Sequence, residues 1–159
     1  MTSEITKGLT IRQYQPQDRT TVADLHKLAL QQVGAYSADR TVDEDLNKIE
    51  ETYLHNRGEF LIGECDDRVV AMGAIRRTTS SRAEIKRMRV HPDYQRRGFG
   101  QAILNTLEQR ARELGYTDLH LDTTVQQTAA QRLYEKNGYT LAREGTVGQF
   151  NVLFYEKKL

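Results

Sequence analysis

The strongest constraint on this 159-residue chain is one unbroken stretch in its middle: a strand that meets a proline, then a glycine pair that opens a helix. Ala83 to Val90 reads as the strand, His91-Pro92-Asp93 as the break, and Gln95-Arg96-Arg97-Gly98-Phe99-Gly100 as the loop leading into the helix. Phe99, Ile103, Leu107, Ala111 and Leu114 fall on one side of that helix, and Gly115 stops it. A helix start presents N–H groups without intrahelical partners and the positive end of the helix dipole, both suited to an anion. Glycine lets the backbone approach that anion because no Cβ intervenes. Arg96 and Arg97 add formal charge at the same rim, so a pyrophosphate is the ligand this arrangement favours. A glycine pair alone also fits a plain turn with solvated arginines. Two other phosphate motifs are excluded: there is no Gly-Lys-Ser/Thr, and no third glycine after a tight strand turn.

Composition narrows the partners. Lys and Arg number 23 against 22 Asp and Glu, a net charge of +1, without the basic excess of a dedicated nucleic-acid or membrane-surface binder. No apolar run approaches the length of a membrane span, and Met1 to Thr10 lacks a signal-peptide layout. Cys65 is the single cysteine, and His26, His55, His91 and His120 share no metal-ligand spacing with it or with one another. The expectation is a cytoplasmic protein with no structural metal, no disulfide, no nucleic-acid partner and no membrane partner.

Elsewhere the pattern alternates strands and helices. Leu9 and Ile11 suggest a first strand, and Pro16 opens a helix with Val22, Leu25, Leu28 and Ala29 inward. Thr41-x-x-Glu44 reads as a capping box for a second helix carrying Val42, Leu46, Ile49 and Tyr53 on one face. Phe60–Cys65 and Val69–Ile75 flank Asp66-Asp67 as a hairpin. Asp118 to Thr123 reads as a strand, and Gln127 to Asn137 as a helix with Ala130, Leu133 and Tyr134 inward. Thr140 to Arg143 and Phe150 to Tyr155 read as closing strands, the last covered on both sides. The sum is a mixed α/β chain on one central sheet, with residues 1–8 as an N-terminal extension and 9–159 as a single domain.

Two segments carry a family resemblance. Glu84 to Gly100 resembles the central segment of the GNAT superfamily of acetyl-CoA-dependent N-acetyltransferases, where a strand ending in Val-x-Pro leads into Gln/Arg-x-x-Gly-x-Gly/Ala. Ala130-Gln131-Arg132-Leu133-Tyr134-Glu135-Lys136-Asn137-Gly138-Tyr139 resembles its second signature, Ala-x-x-Leu-Tyr-x-x-x-Gly-Tyr/Phe. The resemblance implies an α/β (α+β) fold: one mixed, mostly antiparallel sheet of about seven strands, flanked by about four helices, with a splayed central strand pair. It implies that acetyl-CoA is the co-substrate. Its pantetheine arm would lie on backbone groups of Met88, Arg89 and Val90. Its pyrophosphate would lie on the loop Gln95, Arg96, Arg97, Gly98, Phe99, Gly100 and Gln101, with Gln127 and Ala130 beside the arm. Gln127 stands where the family often has Asn, and Arg89 where it often has an aromatic residue.

Acetyl transfer to an amine needs a neutral amine, a polarised thioester and a proton for the departing thiolate. The resemblance makes Tyr134 the acid, facing the coenzyme sulfur, and Glu84, 14 positions before Gly98, the base. A core aromatic and a solvated strand-edge glutamate paired with Lys86 or Arg82 are the competing readings of those two. If the strand alternates cleanly, Glu84, Lys86 and Met88 share one face and Ile85, Arg87 and Arg89 the other. Cys65 reads as a core residue, and His120 with Asp122 as a polar surface pair. The acceptor is expected to meet Val33–Arg40, Arg77–Arg82 and Gly145–Gln149, with Tyr36, Asp39, Arg40 and Arg143 as candidate contacts. Those groups suit an amino acid or small amine. The other readings are a non-catalytic acyl-CoA sensor on the same fold and an enzyme acting on protein lysines or N-termini; a homodimer is compatible with each.

Overall fold

The computed structural model describes residues 8–159, and of Arg40 the backbone alone. Its seven strands form one sheet in the order β1-β2-β3-β4-β5-β7-β6. They are β1 (Thr10–Gln13), β2 (Glu59–Cys65), β3 (Arg68–Arg77), β4 (Arg82–Val90), β5 (Asp118–Thr124), β6 (Thr140–Val147) and β7 (Phe150–Lys158). Only β4 and β5 are parallel neighbours; all other pairs are antiparallel. This is the mixed, mostly antiparallel sheet expected. The helices are α1 (Arg19–Gln32), α2 (Phe99–Glu113) and α3 (Thr128–Lys136). Of the expected N-terminal extension, residues 1–7 lie outside the described residues. Among the described residues no helix is long and apolar enough to cross a membrane.

The sheet is covered unequally. On one face α2 buries Phe99, Ile103, Leu104 and Leu107 against residues from β2 through β7, forming the larger core. Gly73 makes the close approach possible: a Cβ there would sit 2.6 Å from Ile103 Cγ2 and from Met88 Sδ. Truncating a fully buried residue such as Ile103 to Ala costs about 2–5 kcal/mol. On the other face a smaller core joins α1 (Val22, Leu25) to Phe60, Ile62, Met72 and Ala74 of β2 and β3. No residue of β5, β6 or β7 takes part in this second core. Within α1, His26 is buried, whereas Leu28, expected inward, is 41% exposed.

The expected second helix is not an α-helix. Arg40–Asn47 forms a 3-10 segment and Glu50–Leu54 a π turn. Asp39, not Thr41, caps the first of these, its carboxylate accepting from the Thr41 N–H at 3.0 Å. Asp43 leaves helical geometry at φ −115, ψ 16. Asp43 and Asp45 are both drawn onto Arg87, and short carboxylates of this kind compete with a regular helix for backbone geometry. Leu46, Ile49 and Tyr53 are buried as the stripe predicts, but Val42 is exposed. The hairpin holds: Asp66 and Asp67 both adopt positive φ (54 and 59), as a two-residue turn matched to strand twist requires. In β7 only Val152 and Tyr155 are buried, so its cover is thinner than expected.

Strand β4 positions the site through a bulge. Between the β3–β4 pairs Met72↔Arg89 and Ala74↔Lys86, β3 advances two residues and β4 three. Arg87 adopts φ 61 there, a conformation that costs an arginine on the order of 1–3 kcal/mol. Its guanidinium is held by Asp45, by Asp43 at 3.3 Å and by the Val42 carbonyl at 2.8 Å, which offsets that cost. The extra residue shifts the side-chain phase, so the clean alternation expected does not hold. Met88 and Val90 join Ile85 under α2, while Arg87 and Arg89 join Glu84 on the α1 face.

Candidate active site

Strands β4 and β5 pair only over Arg82↔Asp118, Ala83↔Leu119 and Glu84↔His120, then part. The splayed pair expected is therefore present, opening just before the bulge. The wedge leads to a cleft of about 350 Å³ whose walls include Glu84, Met88, Arg89, Asp122, Gln127 and Tyr134. That volume suits a small ligand.

At one end of the wedge, α2 begins at Gly98, whose φ of 79 an L side chain rarely adopts. The N–H groups of Phe99, Gly100 and Gln101 have no intrahelical partners by helix geometry. Arg96 (φ 64) and Arg97 are exposed at the rim, with Arg97 4.9 Å from the Tyr94 ring centroid. Gln95 ties the loop down, its Nε2 donating to Gln32 Oε1 of α1 at 2.8 Å and to the Val90 carbonyl at 3.1 Å. The Phe99 side chain is buried in the core, so only its backbone faces the rim. Gln101 bonds Asn105 and Asn137, each at 2.8 Å, which also occupies its side chain. At Gly100 a methyl group would meet only Leu133 and Val90, at 3.6 and 3.7 Å, so internal packing does not demand glycine there. These features fit a diphosphate: unpaired amides, a bare backbone and two adjacent cations.

Along the wedge, the Met88 carbonyl accepts from Arg89 Nη1 at 2.7 Å and the Val90 carbonyl from Gln95. A carbonyl has two lone pairs, so each retains one. Opposite them, Gln127 turns its Oε1 toward the Thr124 N–H and hydroxyl at 3.2 and 3.0 Å. Ala130 packs against the larger core.

Tyr134 is buried and packs edge-on against Tyr139 at 5.6 Å. Its hydroxyl makes no hydrogen bond to any described residue, yet the residue lines the cleft. Burial holds the phenol protonated far above its ordinary range, with Arg89 opposing and Asp122 reinforcing the shift. Glu84 is clamped by Arg76 Nη2 at 2.7 Å, with Lys86 Nζ at 4.0 Å; Arg82 pairs instead with Glu156. Asp122, read from sequence as half of a surface pair, also lines the cleft. The surrounding cleft walls, and then Glu84, raise its carboxyl above the usual range, while the side chain itself stays exposed as the surface reading expected. Its partner His120 faces Glu84 across the last β4–β5 rung, with Nε2 2.7 Å from Thr78 Oγ1. The alternation of β5 puts both on one face; what the sequence lacked was the neighbouring strand that makes this face a wall.

The acceptor candidates scatter. Asp39 lines the cleft while capping the 3-10 segment. Tyr36 stands against His26, ring centroids 6.3 Å apart. The Arg40 side chain lies outside the described residues. Arg143 stacks on Phe154 at 3.6 Å and is not among the cleft walls. Of the three loops expected at the mouth, 33–40 and 145–149 contribute walls and 77–82 does not. For the Arg89 side chain, sequence reasoning left acidic substrate and solvent both open. The side chain enters the cleft beside His26, its Nε 3.3 Å from His26 Nδ1. Among the described residues, no group of three or more His, Cys, Asp or Glu gathers to hold a metal ion.

Comparison with known proteins agrees with this geometry. Residues 22–139 match the family described as the acetyltransferase (GNAT) family. Human N-acetyltransferase 8 is 32% identical over 107 residues, covering 64% of this chain and 47% of its own. The chain thus spans about half the length of that curated relative. An acetyltransferase of Streptococcus agalactiae superposes with a TM-score of 0.86 at 21% identity, over 96% of this chain and 99% of its own. The PaiA N-acetyltransferase of Thermoplasma acidophilum, solved in complex with coenzyme A, superposes with a TM-score of 0.73 at 21% identity, over 95% and 99% of the two chains. At such identities the structural likeness speaks for the fold.

Proposed function

Because the chain belongs to the acetyltransferase (GNAT) family, we propose that it moves the acetyl group of acetyl-CoA onto a primary amine, by direct attack within a ternary complex. The observation that carries this reading is the conjunction of a splayed β4–β5 pair with an unpaired helix start at its end. Bound there, acetyl-CoA supplies an activated thioester. The N–H groups from Arg96 to Gln101 hold its diphosphate, and the open edge of β4 at Met88, Arg89 and Val90 orients the arm. The Tyr134 O–H, kept neutral by burial, donates a proton to the leaving sulfur. Asp122 receives the amine's proton, the neighbouring Glu84 helping to raise its carboxyl. This moves the base from Glu84, the expectation, to Asp122, because the Arg76 guanidinium 2.7 Å away already occupies the Glu84 carboxylate. Cys65 is buried in the larger core, away from the cleft walls, which supports transfer without an acyl-enzyme.

Calorimetry with acetyl-CoA, followed by thiol release across a panel of amines, tests the reading. Micromolar binding and amine-dependent thiol release are expected. Binding without release from any amine identifies a sensor instead, and absence of binding removes the cofactor site altogether.

A further inference from the structure

Arg89 is a cation in the cleft wall with no ion-pair partner among the described residues. An arginine offers five N–H donors in a rigid fork, and here two are committed: Nε to His26 and Nη1 to its neighbour's carbonyl. The carboxylates nearest in the fold are taken: Asp45 and Asp43 sit on Arg87, and Asp43 also holds His26 Nε2 at 3.0 Å. His26 cannot neutralise Arg89 either. Its Nε2 faces a carboxylate and its Nδ1 faces a donor, which fixes the neutral tautomer with the proton on Nε2. The chain Asp43–His26–Arg89 therefore positions a guanidinium in the cleft without cancelling its charge.

A half-buried cation without a counterion is costly, and a bound group of opposite charge offsets that cost. The coenzyme's diphosphate is not that partner, because the bulge turns Arg89 to the α1 face while the helix start serves the α2 face. The acceptor side of the cleft is where a bound anion reaches Arg89. Arg89, Asp122 and Tyr134 line the same cleft, so a cation and a carboxylate share it with the proposed proton donor. We infer that the acceptor is a free amino acid, its carboxylate paired with the Nη groups of Arg89 and its amine directed toward Asp122 and Tyr134. This rests on the transferase reading and narrows it to one substrate class. Fork-to-carboxylate pairing is the geometry in which arginine differs most from lysine.

The test uses the full chain with glycine, alanine, methionine, phenylalanine, glutamate and lysine, each beside its carboxamide, which keeps the amine and removes the charge. Thiol release is measured for each pair, and calorimetry measures their binding to protein saturated with coenzyme A. For at least one pair the acid is expected to exceed the amide in kcat/KM, and in affinity, by tenfold or more. In Arg89→Gln that ratio falls toward one, and Arg89→Lys restores it only in part. Thermal melting controls for folding; Arg89→Gln should melt no lower than the parent, since it removes a half-buried charge that has no counterion. Equal handling of acid and amide by the parent in both assays, or an unchanged ratio in a folded Arg89→Gln, overturns the assignment. Selective acid binding without any thiol release would keep the Arg89 site and discard the transferase.

Discussion

At the residue scale, the site depends on groups whose ordinary behaviour is altered by burial. His26 is the clearest case, with burial lowering its imidazole to about 4 against the tendency of Asp43 to raise it, and with Arg89 and Arg87 lowering it further. The unfolded chain, with an ordinary histidine, binds the extra proton near pH 6.5, and the folded chain does not until about pH 4. Stability is thus full above pH 6.5 and declines as pH falls through this window, by about 1.4 kcal/mol per unit at most. Urea titrations at pH 7 and pH 5 should show a smaller loss in His26→Gln than in the parent, by roughly 1–2 kcal/mol; equal losses would mean that His26 is charged in the fold. Tyr134 gives the complementary prediction. Tyr134→Phe removes a hydroxyl with no partner among the described residues, so melting and acetyl-CoA affinity should barely change. Turnover should nonetheless fall about 100-fold, as for loss of a general acid; unchanged turnover removes Tyr134 from that role. Little of this was legible beforehand. Tyr134 was found through its place in a signature, but the importance of Asp122 and Arg89 depends on which strands lie next to them and which carboxylates are already engaged, and one-dimensional spacing records neither.

At the element scale, local pattern served best where one chemical preference dominated. The Pro92 break, the helix from Phe99 and the Asp66-Asp67 turn are each dictated by residues adjacent in sequence. The second helix failed because its aspartates answer to Arg87, which lies more than 40 residues away. The bulge in β4 leaves no local mark for the same reason: Arg87 is held at its positive φ by partners more than 40 residues away. For the loop and helix α2, stability and ligand binding should separate. Arg97→Glu places a carboxylate where a helix start favours one, by about 0.3–1 kcal/mol, and gives up a cation–π contact of similar size. Its melting temperature should stay within a few degrees of the parent, while acetyl-CoA affinity falls tenfold or more and becomes less sensitive to salt. Equal affinity in a calorimetric titration would show that the loop does not meet the phosphates.

At the scale of the whole molecule, the sheet is two units, β1–β4 and β5–β7–β6, joined edge to edge by only three paired positions. A ligand lying in the wedge makes contact with both. Hydrogen exchange should therefore slow on adding coenzyme A at residues 88–90 and 121–124, with little change in β2, where both edges are already paired. Uniform slowing throughout the sheet, or none, would contradict binding in the wedge. The uneven cover of the sheet has one more consequence. The face of β5, β6 and β7 that looks toward α1 contributes nothing to the smaller core. Replacements there lose few packing contacts, so descendants of this chain can change what they acylate by drifting across that face, while the opposite side keeps the architecture intact.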